Sequence, residues 1–271
     1  KDITVSSLEA TPHAEALDWI IQEMEDCLDM VDDSNYDASP SHVKKTVVEG
    51  ILARVCLWRA GEPSKGGKPY YEKAAKYAKA VYELNPDVYA MWKALASDQY
   101  ETTYNESMWE VEFVGTRDDG SYTESRIGNV IGNLQENSAG TGAGYTYAFY
   151  AGSLILWDLY DAKDARRDLA MAPYNNKDVQ VAWKDNQIVD RRCGKYRREW
   201  ESSSPKHKNY TQENYCLLRY ADVLLMLAEA ENEANQGPTA LAYTCINEVR
   251  KRAGIDEVKD LSYGDFQKLI R

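Results

Sequence analysis

The chain has 271 residues, 44% of them hydrophobic, and a formal net charge of -12 at pH 7. This hydrophobic fraction is sufficient for a sizeable core, in either one large domain or two modest ones. The acidic balance argues against a nucleic-acid partner, because phosphates require a basic binding face.

The first third of the chain is predicted to be helical. Apolar residues recur at helical spacing and indicate three helices, over about 12–31, 39–59 and 70–84. The last two are expected to form a hairpin, 41–84. This hairpin resembles a tetratricopeptide unit, because small residues occupy the helix crossing and Asn85-Pro86 closes it.

Residues 107–200 are predicted to form a loop-rich insert between two helical hairpins. The alternation of apolar and polar residues over 107–114 indicates a short strand, and two more strands are expected within 179–200. The stretch 115–152 holds eight of the sixteen glycines, and a loop of this length in a compact domain is usually functional or disordered. The basic run 195–198 is expected to be a solvated face that offsets nearby acids.

A second helical hairpin is predicted over 215–254. Its first helix is apolar around most of its circumference and should be buried on most sides, while Arg219 and Asp222 are expected to pair on its surface. Gly237 and Pro238 separate it from the second helix. The face expected to be buried on that helix comprises Ala242, Cys245, Ile246, Val249 and Ala253. Beyond it, Ser262 is expected to cap a third helix.

Two runs in this hairpin, 218–230 (LRYADVLLMLAEA) and 247–254 (NEVRKRAG), resemble the signature of the SusD/RagB family of outer-membrane nutrient-binding lipoproteins. The helix-like stretch 153–160, followed by the Asp-x-Arg step at 164–166, is similar to the family as well. The resemblance implies a mainly α fold, with tetratricopeptide-like hairpins, long loops and a few short strands. Because family members are longer at both ends, residues 1–271 are interpreted as a fragment of a single SusD-like helical domain.

The resemblance also implies a function. It implies a non-catalytic protein, lipid-anchored through a cysteine upstream of Lys1 on the outer cell surface. Such a protein captures oligosaccharides and delivers them to a SusC-like TonB-dependent outer-membrane transporter. Oligopeptides are an alternative ligand class, because some relatives of the family handle peptides.

Catalytic patterns are scarce in the sequence. Only 3 His are present, and neither a His-Glu-x-x-His zinc helix nor a Gly-x-Ser-x-Gly elbow occurs. We therefore predict no metal, no cofactor and no enzymatic activity. A glycoside hydrolase stays open as a less favoured alternative, because it needs only two carboxylates and the chain has 44 acidic residues.

The candidate binding site lies in the glycine-rich loop. Sugar rings expose C–H patches on one face and hydroxyls at the edge, which suits aromatic planes combined with polar groups. The residues predicted to stack are Tyr122, Tyr145, Tyr147, Phe149 and Tyr150. The residues predicted to hydrogen-bond the hydroxyls are Arg126, Gln135 and Asn137. We expect the largest contributions from Tyr145 and Tyr147. The alternative for Phe149 and Tyr150 is that they anchor the end of the loop in the core beside Leu154.

Overall fold

A computed structural model of the chain describes residues 9–33, 40–84, 106–115, 120, 122–136, 144–176, 179–202 and 205–271. Within these ranges lie nine α-helices and four short strands, which confirms the predicted mainly α class. The helices are α1 (His13–Cys27), α2 (Lys45–Ala60), α3 (Lys68–Leu84), α4 (Ile127–Ile131), α5 (Leu154–Asp158), α6 (Ala165–Ala170), α7 (Tyr220–Asn235), α8 (Ala240–Ala253) and α9 (Tyr263–Ile270). The strands are β1 (Ser107–Val111), β2 (Tyr174–Asn176), β3 (Gln180–Ala182) and β4 (Tyr215–Arg219).

The core is formed by the two helical hairpins. Helix α2 packs on α3, α3 packs on α7, and α7 packs on α8, while α1 covers α2 and α9 covers α7. Ala53, Ala74 and Ala78 are fully buried, and such small side chains allow helix axes to approach closely. Leu52 and Leu224 fill the space between the helices. The aliphatic burial predicted from the helical spacing is therefore what holds these helices together.

Two helix boundaries in the first third differ from the prediction by four residues or more. Helix α2 begins at Lys45 instead of at residue 39. Its second residue, Thr46, donates its backbone N–H and its hydroxyl to Asp33 Oδ1, at 3.2 and 2.9 Å. A carboxylate thirteen positions upstream therefore replaces the Ser-Pro start that the local sequence indicated. Helix α1 ends at Cys27, four residues before the predicted end. Ser39 and Asn85-Pro86 lie outside the described residues.

The start of the second hairpin was predicted wrongly. Residues 215–219 form β4, which pairs antiparallel with β1, and the helix begins only at Tyr220. The predicted pair between Arg219 and Asp222 is also wrong, because the two residues do not share a helix face. Arg219 Nη1 instead lies 2.7 Å from Glu106 Oε1, and Asp222 forms an ion pair with Arg54. Pairing with a distant strand therefore overrides the apolar pattern here.

The end of the second hairpin agrees with the sequence pattern. The five residues expected on the buried face of α8 are all buried. Gly254 ends α8 with a φ of 75°, and the Ser262 hydroxyl accepts the backbone N–H of Asp265 at 3.2 Å. The turn between α7 and α8 differs in detail, because Gln236 adopts the left-handed conformation and Thr239 caps α8.

The loop-rich region contains fewer strands than predicted after residue 183. Only β3 lies within 179–200, and its partner is β2, upstream of that range. Among the described residues from 183 to 200, Arg192 and Cys193 form isolated bridges and the other regular elements are short 3₁₀ turns. Within the described residues, no helix combines the length and apolar character that crossing a bilayer requires.

Cationic side chains hold aromatic rings in this region. Two guanidinium groups lie over the Trp157 ring, with Arg167 Cζ at 4.5 Å and Arg191 Cζ at 4.4 Å from the ring centroid. Arg197 Cζ lies 4.5 Å from the centroid of Trp200. Such contacts are attractive because the face of an aromatic ring is electron-rich. They order a region that has few aliphatic side chains.

Candidate functional site

Three aromatic side chains follow one another along the surface of the glycine-rich loop. Tyr145 is half-buried, Tyr147 is 41% exposed and Phe149 is 70% exposed. The intervening residues, Thr146 and Ala148, are buried. This alternation turns the aromatic rings outward while the small residues face the protein. We call Tyr145, Tyr147 and Phe149 the aromatic row.

The rings of the aromatic row contact one another. The Tyr145 and Tyr147 centroids lie 5.0 Å apart with an interplanar angle of 80°, an edge-to-face contact. The Tyr147 and Phe149 rings lie nearly parallel, with centroids 5.4 Å apart and an angle of 11°. Both geometries are preferred for aromatic pairs. Tyr147 therefore contacts both other rings, and Phe149 is the most exposed of the three side chains.

Helix α4 holds the backbone of the aromatic row. The Tyr147 N–H donates to the carbonyl of Asn129 at 2.7 Å, and the Phe149 N–H donates to the carbonyl of Val130 at 3.1 Å. The last carbonyls of a helix have no partner within the helix and are available for such bonds. A short helix thereby fixes the position of two exposed rings.

Asn129 also supports the row through its side chain. It is fully buried, and its Nδ2 donates to the carbonyl of Tyr145 at 2.9 Å and to the carbonyl of Lys208 at 3.3 Å. A buried amide that satisfies two carbonyls from different segments joins those segments. Asn129 therefore links α4, the aromatic row and the 205–211 segment.

Arg198 also joins the aromatic row to the 205–211 segment, through a charged side chain. Its side chain is fully buried, and it donates to the carbonyl of Tyr145 at 3.2 Å and to the carbonyl of His207 at 2.6 Å. Burial lowers the pKa of the Arg198 guanidinium, while the Glu201 carboxylate, 2.7 Å from Arg198 Nε, opposes that shift. A buried cation is tolerated when it is paired and hydrogen-bonded in this way.

Gly144 precedes the aromatic row where the chain passes closest to Arg198. Its φ is 80°, in the left-handed region that favours glycine. A Cβ atom added to Gly144 would lie 2.7 Å from Arg198 Nη2. Both the backbone conformation and the space around it therefore require glycine at this position.

The other predicted site residues lie in different environments. Tyr122 and Tyr150 are 71% and 63% exposed. Arg126 is exposed, and its Nη2 lies 3.4 Å from Asn129 Oδ1, which connects it to the network beneath the row. Gln135 is buried, and its backbone bridges Thr146 and residue 176. Asn137 lies outside the described residues. Their roles in binding stay predictions.

The alternative placement of Phe149 and Tyr150 is wrong. Neither side chain anchors the loop in the core, and Leu154 beside them is itself 54% exposed. Leu154 lies on α5, a five-residue helix without a buried side chain. The end of the loop is fixed by hydrogen bonds and ring contacts instead of by apolar burial.

The sequence interpretation missed the residues that support the row. The run 195–198 was expected to be a solvated face, but Arg197 and Arg198 are both buried. The expectation that the run offsets nearby acids is confirmed by the Arg198–Glu201 pair. The sequence did contain a local signal for this buried pair, because a Glu stands three positions after an Arg. No group of three or more metal-ligating side chains occurs in the part of the chain that the structure describes.

The chain is similar to known proteins both in amino-acid sequence and in fold. The model of the SusD family matches residues 175–271. SusD-like protein P2 from Formosa agariphila is 24% identical over 258 residues, which cover 92% of this chain and 49% of that protein. Such coverage means that the chain spans about half the length of the relatives it matches.

Two solved structures illustrate the similarity. A SusD homolog from Bacteroides thetaiotaomicron has a TM-score of 0.79 at 25% identity, covering 94% of this chain and 55% of that one. Surface glycan-binding protein A from the same species, in complex with laminarihexaose, has a TM-score of 0.68 at 17% identity, covering 94% and 58%. The chain therefore resembles the SusD/RagB family in the hairpin signature within 218–254, in the family model over 175–271 and in fold over most of its length.

Proposed function

We propose that this chain is part of a non-catalytic glycan-binding protein whose aromatic row stacks on oligosaccharides. The observation that carries the proposal is the row itself, in which three contacting rings stand exposed on a hydrogen-bonded backbone. Rigid rings lose little conformational entropy when a ligand covers them. Two structural relatives support the ligand class, because one was solved with laminarihexaose and another with a xylogluco-oligosaccharide.

The ring geometry refines which side chain should matter most. Tyr147 stacks on Phe149 and also makes an edge-to-face contact with Tyr145, so part of its ring surface is used within the protein. Phe149 keeps its outer face open and is the most exposed of the three. We therefore expect Phe149 to supply the main stacking surface and the two tyrosine hydroxyls to supply polar contacts to the sugar hydroxyls.

The binding proposal is tested by calorimetry on the full-length protein with a panel of neutral oligosaccharides. Phe149→Ala should weaken binding of the best ligand by about 1 to 3 kcal/mol, the typical cost of losing an anchor residue. Trp58→Ala is the control, because Trp58 is an aromatic residue on α2 that is also largely exposed, at 58%. Unaltered affinity in Phe149→Ala, Tyr147→Ala and Tyr145→Ala would show that the row is not the platform.

The same samples distinguish the alternative functions. Chromatography of the oligosaccharides after long incubation should detect no shortened products, and turnover would contradict the non-catalytic proposal. A peptide pool measured in parallel tests the alternative ligand class. Binding of peptides without binding of any glycan would transfer the proposal to oligopeptides.

We further propose, from the resemblance to the SusD/RagB family, that the full-length protein is lipid-anchored upstream of Lys1 and faces the cell exterior. Its partner would be a SusC-like TonB-dependent transporter that receives the captured glycan. Fractionation of washed cells should find the protein with the outer membrane, and it should copurify with a transporter after mild detergent extraction. Release without detergent would contradict the anchoring.

A further inference from the structure

The surface charge around the aromatic row is opposite in sign to the net charge of the chain. The sequence carries 44 acidic residues against 32 lysines and arginines. Neither 144–152 nor the 205–211 segment contains an acidic residue, and the carboxylate that precedes α4, that of Glu124, is buried. The side chains of Arg126 and Lys208 are exposed. The charges that these segments present to solvent are therefore positive.

Lys208 lies at the Tyr145 end of the aromatic row. Its Nζ is 6.0 Å from the centroid of the Tyr145 ring, at the outer limit of a cation–π contact. A ring face attracts the ammonium charge but accepts no strong hydrogen bond from it. The three N–H donors of the ammonium group can therefore bind an anion while the ring contact persists.

The backbone that carries Lys208 is fixed by hydrogen bonds. The Lys208 carbonyl accepts a bond from Asn129 Nδ2 at 3.3 Å. His207 Nδ1 accepts the backbone N–H of Asn209 at 3.1 Å and that of Tyr210 at 3.2 Å. The His207 and Tyr210 rings also stack, with centroids 4.7 Å apart. Because this turn is ordered before a ligand arrives, little entropy is lost when Lys208 binds one.

Arg126 supplies a second cation next to the same buried amide. Its Nη2 lies 3.4 Å from Asn129 Oδ1, while Asn129 Nδ2 contacts the carbonyls of Tyr145 and Lys208. A guanidinium group has five N–H donors, so one contact to Asn129 leaves others for a ligand. Asn129 therefore places two exposed cations beside the row from two different segments of the chain.

The carboxylates of this region are covered by protein. Glu201 and Glu213 are both buried. Burial lowers the pKa of Arg198, and the charges of Glu201 and Glu213 oppose that shift, which places all three groups in one buried network. The Arg198 charge offsets part of theirs. An anion that approaches the row therefore meets the exposed cations first.

We propose that the ligand of the aromatic row is an acidic glycan, whose carboxylate or sulfate groups are bound by Lys208 and Arg126. Sugar rings stack on the aromatic side chains, and the acidic substituent lies at the Tyr145 end of the row. Ammonium and guanidinium groups bind such anions through charge-assisted hydrogen bonds. This inference rests on the proposed glycan binding and narrows its ligand class.

Calorimetry on the full-length protein tests the proposal with matched pairs of tetrasaccharides. One pair is the galacturonic acid tetramer and its carboxyl-reduced form, and the other is a sulfated carrageenan tetrasaccharide and its desulfated form. In at least one pair the acidic member should bind at least about fivefold more tightly, because two cations contribute. The preference should shrink as salt is added, since exposed charges are screened. The pair that shows it distinguishes carboxylate from sulfate.

Lys208→Gln should lower the preference for the acidic member about threefold, because one of the two cations is lost. Lys76→Gln is the matched control. Lys76 is also an exposed lysine in contact with a ring, with Nζ 4.9 Å from the centroid of Tyr77 on α3. The control should keep the preference. An unchanged preference in Lys208→Gln, or an equal loss in Lys76→Gln, overturns the proposal.

The results also separate this inference from the proposed function. Equal or tighter binding of the neutral member in both pairs overturns the acidic ligand and leaves glycan binding by the row intact. Binding of the neutral panel together with no binding of either pair has the same meaning. Absence of binding by both pairs and by the neutral panel overturns both proposals.

Discussion

The helical hairpins and the loop-rich region are held together by different forces. Between α2, α3, α7 and α8, the buried side chains are largely Leu, Val and Ala. Around the aromatic row, the buried side chains include Asn129, Thr146, Arg198 and Glu201, and the bonds run to backbone carbonyls. Apolar packing tolerates small shifts, whereas a buried charge or amide needs its partners in place. The loop-rich region should therefore respond to single polar substitutions that leave the helices intact.

The largest loss of folding stability is expected from a substitution in the core of the helical hairpins. Leu224 is fully buried in α7, and Leu224→Asp places an unpaired charge there. We expect a loss on the order of 5 kcal/mol, which is sufficient to unfold a domain of ordinary stability. Urea denaturation followed by circular dichroism measures it. The control is Leu159→Asp, at a 77% exposed position, where little change is expected. A loss below about 2 kcal/mol in Leu224→Asp would contradict the apolar core.

A smaller but more selective effect is expected from Arg198→Met. The substitution removes one member of a buried ion pair, which typically costs about 3 to 5 kcal/mol. Because Arg198 joins the row to the 205–211 segment, the cost should appear as local disorder. Hydrogen exchange should accelerate over 144–150 and 205–211, but not in α7.

The matched variant for Arg198→Met is the double substitution Arg198→Met with Glu201→Gln, which also removes the charge of the Glu201 side chain. It should recover part of the lost stability without restoring the bonds to the Tyr145 and His207 carbonyls. Uniform acceleration of exchange across the whole chain would show that the two regions do not differ in the way described.

Two effects make glycine necessary at position 144: the left-handed backbone conformation and the lack of room for a side chain. Their costs in stability can be measured separately by comparison with Gly67. Gly144 and Gly67 have similar φ values, 80° and 67°. A Cβ at Gly144 would meet the Arg198 guanidinium, whereas at Gly67 it would meet no atom of the described residues within 4 Å. Gly67→Ala should cost about 1 to 2 kcal/mol from the left-handed conformation alone. Gly144→Ala should cost more and should also weaken glycan binding. Equal costs in thermal denaturation would contradict the close approach.

The smallest expected effect is a change in folding stability at low pH, caused by protonation of Asp164 at the start of α6. Burial by itself would raise the pKa of Asp164, but hydrogen bonds from the side chain and backbone of Arg166 outweigh it and hold the pKa below its ordinary value. The ionised form therefore contributes stability above about pH 4, and this contribution is lost as the pH falls through the lowered pKa.

Asp164→Asn tests this dependence, because Asn keeps the oxygen that accepts the Arg166 N–H and removes only the charge. Its stability should fall less steeply than that of the wild type as the pH is lowered below about 4. The measurement is urea denaturation at a series of pH values. Parallel curves for the two proteins would show that Asp164 does not titrate as described.

The difference between the regions also explains which structural features could be predicted from the sequence. Helix α8 could be predicted with its buried face, its Gly254 end and the Ser262 cap of its successor, because each signal lies within a few residues. The exposure of Tyr147 agrees with the sequence, because the glycine-rich loop has too few aliphatic residues to bury its aromatic side chains. The bond from Arg198 to the Tyr145 carbonyl joins residues 53 positions apart, so no pattern of neighbouring residues could predict it.

By itself, the sequence determined the mainly α class, the two hairpins, the resemblance to the SusD/RagB family and the segment that bears the aromatic row. These follow from periodicity and from short-range signals, which act within one or two helical turns. Only the tertiary structure decided that 215–219 is a strand, that Arg198 is buried, and that Phe149 stands exposed. Each of those outcomes depends on a partner distant in the chain: β1 for β4, Tyr145 for Arg198 and α4 for Phe149. Contacts over such separations form only when the whole chain has folded, so no local pattern could specify them.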